Sequence, residues 1–191
     1  MAETFSNKVV RAAGSVTAKT GCTIGAAATS ITVSANTGIG VSYLVDNTNF
    51  IAGTRVHSIS GTTIFVDTTS TNSSEASSQT VNFLGVTTAY SSPAATKSIL
   101  IGGTFANNTT SQVNLTVQVY DSSVGIDSTS AVSIASKIPV PAGSSFVISD
   151  TGKTLCEAND EIRVYADVDN AIDVNLSILT GVNWWQIKLV T

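Results

Sequence analysis

The chain has 191 residues, a formal net charge of −4 and 12% charged residues, about half the roughly 25% of an average globular protein. Nine Lys and Arg against thirteen Asp and Glu, with no basic block, exclude a nucleic-acid binder, because phosphate contacts need clustered cations. Polarity comes instead from 27 Thr and 26 Ser, which beside Val and Ile are strand and turn material.

In chain order, the opening from Met1 to Gly14 is polar and lacks the apolar stretch of a signal peptide, so synthesis in a cytoplasm is expected. Residues 20–85 carry very short alternating runs: Ile31 and Val33, Tyr43 to Val45, Arg55 to Ile59, and Ile64 to Val66. Ser58 to Val66 reads as a hairpin turning at Gly61, and Thr68 to Gln79 as a Ser/Thr/Asn loop. Further on, Ile99 to Phe105 reads as a buried strand. Val113, Leu115, Val117 and Val119 alternate with polar neighbours, and Phe146 and Ile148 follow a turn at Pro141 to Gly143.

Ile162, Val164, Ala166 and Val168 share one face, and Ile172, Val174, Leu176 and Ile178 resume it after Asp169 to Ala171. The two runs read as an antiparallel hairpin. The tail from Asn183 to Thr191 reads as a strand with Trp184, Gln186 and Lys188 on one face and Trp185, Ile187 and Leu189 on the other. One indole of the pair is expected in the core and the other as an interface anchor, so Trp184, Trp185, Gln186 and Lys188 are the candidate interface residues. Helical periodicity is nearly absent, and no window is apolar enough to span a membrane. The expected fold is all-β, an antiparallel β-sandwich or jelly-roll-like domain.

Five segments carry a resemblance. Ser30 to Asp46, with Gly38, Ile39, Gly40, Val41 and Ser42 at its turn, and Phe50 to Ile64, with Gly53, Thr54, Arg55 and Val56, resemble a small β module common in tailed-bacteriophage virion proteins. Ser42 stands where that pattern has a second glycine. Ala89 to Asn108, Lys137 to Ser145 and Leu155 to Val164 are similar to a phage structural β-sandwich family. The resemblance implies a sandwich from residues 1–19 and 86–191, with 20–85 inserted as a small β domain at a strand connection, where insertions are tolerated.

No catalytic constellation assembles. The single histidine, His57, lies in a strand beside Arg55 and Ser58 and reads as a partly exposed strand residue. Six of the thirteen acidic residues cluster as Glu157, Asp160, Glu161, Asp167, Asp169 and Asp173. Asp167 to Asp173 superficially resembles a calcium loop but lacks its glycine and its terminal bidentate Glu. A solvated hairpin tip is the expectation, and neither metal nor cofactor is expected. Cys22 and Cys156 form no CxxC pair and read as buried thiols, a disulfide being the alternative.

The resemblance and composition together imply a non-enzymatic structural component of a tailed phage virion. It would attach in multiple copies to the capsid, as a decoration or cement protein, or to the neck or tail. Its partners would be the major capsid protein or connector and tail proteins, and further copies of itself in a homo-oligomer. The alternative is a carbohydrate- or host-surface-binding β module displayed on the particle, with Tyr165 beside Asp167 as its aromatic platform.

Overall fold

The computed structural model describes residues 3–124, 130–149 and 153–182. Among these the chain is all β: fifteen strands in three antiparallel sheets. The first sheet runs β1 (Thr4–Ala13), β15 (Ile172–Thr180), β9 (Ser98–Asn107), β12 (Ser145–Ile148), and β13 (Thr154–Cys156) also pairs with β9. The second runs β11 (Ala131–Val140), β10 (Val113–Tyr120), β14 (Glu161–Ala166), β8 (Thr87–Ser91). Period-two alternation gives each sheet one apolar face, and these faces meet. Leu100, Phe105, Val174, Leu176 and Ile178 from the first share a buried cluster with Val113, Leu115, Val117, Ile162 and Val164 from the second. The two sheets are therefore sandwich-like. Close packing fixes Gly103, where a Cβ would stand 2.7 Å from Leu176 Cδ2.

The third sheet has the order β4 (Leu44–Asp46), β7 (Ala76–Leu84), β2 (Val16–Ile24), β3 (Ser30–Thr32), β6 (Thr63–Val66), β5 (Val56–Ser60). It has its own apolar cluster, including Cys22, Ile24, Ile31, Val56, Ile64, Val81 and Phe83. The β5–β6 hairpin turns at Gly61 with a φ of 56°. Ser42 takes a φ of 69°, a left-handed conformation that glycine adopts at lower cost. The chain leaves β1 for this sheet through Gly14, whose φ is +115°. It returns after Gly85, whose N–H donates to Ser15 O at 2.6 Å. β2 begins at Val16, opposite Leu84, so the stretch from Ser15 to Ala18 enters the small sheet rather than the sandwich.

Two expectations are overturned. β7 starts at Ala76, so the end of the stretch from Thr68 to Gln79 that reads as a loop is strand. β14 and β15 are not hairpin partners, because β14 pairs with β10 and β8 while β15 pairs with β1 and β9. The connection between them crosses from one sheet to the other. Alternation marks which face is buried, and two strands facing each other across a core alternate just as hairpin partners do.

The small sheet packs on the outer face of the second sheet. Tyr165 points away from the sandwich core and is fully buried with Leu44 and Leu84, and its hydroxyl donates to Ser42 O at 3.3 Å. Lys137 Nζ pairs with Asp46 Oδ1 at 2.6 Å beside this contact.

Candidate assembly surface

The predicted anchors Trp184, Trp185, Gln186 and Lys188 lie outside the described residues. What the described chain offers is the outer face of the first sheet. The registers Phe5↔Leu179, Leu179↔Ile99 and Ile99↔Leu155 place four apolar side chains in one row across β1, β15, β9 and β13. Phe5 is 61% and Leu155 36% exposed. A second row, Val9, Asn175, Thr104 and Val147, crosses the same face, with Val9 76% and Val147 56% exposed. Between Val9 and Ala106 lies a shallow depression of about 450 Å³, its charged rim formed by Arg11 and Asp173. Elsewhere the paired positions on this face carry Asn7, Ser177, Asn175 and Thr104, which are polar but uncharged.

Strands of this length, at ~3.3 Å per residue and ~4.8 Å between strands, present a face of about 600 Å². Phe5, Val9, Val147 and Leu155 are exposed on it among polar neighbours, and exposed apolar side chains grouped on one face point to an interaction site. Covering it would bury about 1,200 Å² over both partners, the lower end of specific interfaces. With so little charge, such a contact neither selects by ion pairing nor weakens with salt.

The opposite outer face carries polar and charged side chains where the small sheet does not cover it, with Ile51 and Val132 exposed along the cleft between them. Arg163 Nε donates to Glu161 Oε2 at 2.7 Å, and its guanidinium lies 3.5 Å above the centre of the Tyr120 ring. Between the small sheet and β10–β11 runs a cleft of about 480 Å³, flanked by Arg55, Asp67, Gln118 and Ser133. Arg55 and Asp67 form a buried pair there at 3.4 Å.

The acidic cluster is structural in its described contacts. Asp167 accepts from Asn114 N at 2.8 Å and from Asn114 Nδ2 at 2.7 Å. Asp169 accepts from Val16 N at 2.5 Å, and Asp173 from Ala12 N at 2.8 Å. Each of these three carboxylates thus holds a separate backbone amide where the chain crosses between sheets. The segment is solvated, with Val168, Asp169 and Asn170 exposed, but it connects two sheets and is not a hairpin tip. Among the described residues no three His, Cys, Asp or Glu converge on a common point. His57 is exposed on β5. Cys22 and Cys156 are unbonded and buried in different clusters. Burial, and secondarily the Asp160 carboxylate, push the Cys156 thiol up to about 12, so it stays protonated and unreactive. The expected aromatic platform is also corrected: Tyr165 is covered by Leu44 and Leu84 and has no face to offer a sugar.

Sequence reasoning missed the apolar rows because their members sit in five strands far apart in the chain, with polar neighbours. The local signal was the alternation of Phe5, Asn7 and Val9 in a segment whose composition is polar. Against protein families, curated proteins and solved structures, the chain has no match.

Proposed function

We propose that the chain is a non-enzymatic structural component of a tailed phage virion, attached in multiple copies to the capsid as a decoration or cement protein or to the neck or tail. The observation that carries the reading is the broad, nearly uncharged outer face of the first sheet, with Phe5, Val9, Val147 and Leu155 exposed on it. The virion setting rests on the resemblance of Ser30 to Ile64 and Ala89 to Asn108 to phage structural modules. The occupant of the face is a neighbouring virion subunit with an equally uncharged apolar surface, since a charged partner would lose hydration there without gaining ion pairs. A face of this size gives modest affinity per copy, and repetition on a symmetric particle strengthens it.

The test is co-sedimentation of the purified protein with particles stripped of it. The double variant Val147→Lys with Leu155→Lys places two cations on the face, at exposed positions away from β1. Parent protein that pellets with particles, and a folded variant that stays in the supernatant, support the reading. A variant that pellets like the parent removes this face from the attachment.

A further inference from the structure

Among the described residues β1 is the edge strand of the first sheet, paired only with β15. Its outward backbone edge is a template for another strand. Natural sheets blunt such edges, and the other described edges of the sandwich are blunted. β8 has five residues and β12 four. β11 is long but carries Pro139 and faces two register shifts in its pairing with β10. β1 has ten residues and no proline, and its ladder from Thr4 to Val10 is unbroken, with an irregularity only after Val10.

We infer that β1 pairs antiparallel with β1 of a second copy, about a twofold axis through Asn7, so that two first sheets join edge to edge. Asn7 is the midpoint of the regular ladder from Thr4 to Val10, so this register uses the whole of it. Phe5 then stands opposite Val9 of the second copy, and each covers an exposed apolar side chain of the other. Thr4 faces Val10 and Ser6 faces Lys8. Just beyond the ladder, exposed Glu3 meets exposed Arg11 of the second copy at both ends, a favourable cross-strand charge pair. Moving the axis to Lys8 sets two lysines directly opposite each other, and moving it to Ser6 sets Glu3 against Val9. Charge and apolar pairing therefore select the Asn7 register over its neighbours. The joined sheets present one continuous face, doubling the surface proposed for particle attachment. The purpose of the pairing thus rests on that multi-copy reading.

The experiment is disulfide trapping in the full-length chain. Both native cysteines are buried, so an introduced thiol is the reactive one. Asn7→Cys is expected to cross-link with itself under mild oxidation at least about tenfold faster than Phe5→Cys, because directly opposed strand residues meet disulfide geometry and positions four apart do not. Phe5→Cys mixed with Val9→Cys should cross-link as a heterodimer. In sedimentation equilibrium, Glu3→Arg or Arg11→Glu alone should raise the dimer dissociation constant about fivefold at low salt, and the double swap should restore it. A monomeric parent at high concentration overturns the inference. So does equal trapping at Asn7, at Phe5 and at an exposed control, Val132→Cys. Particle binding is scored separately: trapping that fails while Val147→Lys/Leu155→Lys still abolishes binding removes the self-pairing and keeps the docking face. The reverse result keeps the pairing and removes the face.

Discussion

Tyr165 is the side chain on which the small sheet rests, and its removal should be costly. Its ring is fully buried among Leu44 and Leu84, on the opposite side of β14 from the sandwich core. Truncating a buried aromatic costs about 3–5 kcal/mol, from lost transfer energy and the cavity left behind. Tyr165→Phe keeps the ring and loses only the 3.3 Å hydrogen bond to Ser42 O, worth about 1 kcal/mol. With a urea m-value of about 2 kcal/mol/M, the midpoint should fall by about 2 M for Tyr165→Ala and by about 0.5 M for Tyr165→Phe. Urea unfolding followed by circular dichroism reads both midpoints and tests this reading of the layer contact. A Tyr165→Ala midpoint within about 0.5 M of the parent would refute it, because the layers would then be held by something other than this ring.

Gly14→Ala should destabilise by more than about 2 kcal/mol in the same assay, since a φ of +115° is closed to L residues and the new Cβ would lie 2.5 Å from Val168 O. Alkaline pH should destabilise the fold. The Cys156 thiol is raised from 9.0 to about 12 in the folded chain, so its contribution is complete below pH 9 and is lost as pH rises from there toward 12. The slope is up to about 1.4 kcal/mol per pH unit, and Cys156→Ala should flatten thermal melts recorded across that window. Cutting the chain after Val182 should leave a folded protein, because the fifteen described strands end at Thr180, while particle sedimentation should fall. Trp184→Ala should reproduce part of that fall, and Trp185→Ala should mainly lower the melting temperature.

Strand content was legible because Val and Ile at alternate positions report burial directly. β9, β10, the β5–β6 hairpin at Gly61 and the burial of both cysteines follow from local pattern. Strand partnership was not legible: β14 and β15 alternate in phase because both face one core, although they belong to different sheets. β11 escaped notice because its register shifts against β10 break the alternation, and β1 because an edge strand exposes polar residues such as Asn7 and Lys8. Tyr165 looked like a surface aromatic because nothing near it in sequence covers it; Leu44 and Leu84 do so from the inserted segment. The apolar rows exist only once the Phe5–Leu179–Ile99–Leu155 register is formed. The acidic cluster was visible as a cluster, but the amides it clasps, at Ala12, Val16 and Asn114, come from distant parts of the chain.

The central claim is that this chain is a repeated part of a particle. Quantitative mass spectrometry of particles purified from the cells that produce it, with the major capsid protein as internal standard, tests that claim most directly. The account predicts that the chain co-purifies at a fixed ratio, hundreds of copies for a decoration protein or six to twelve for a neck or tail component. Washed particles that lack it, with the protein recovered only in the free fraction, would contradict the account.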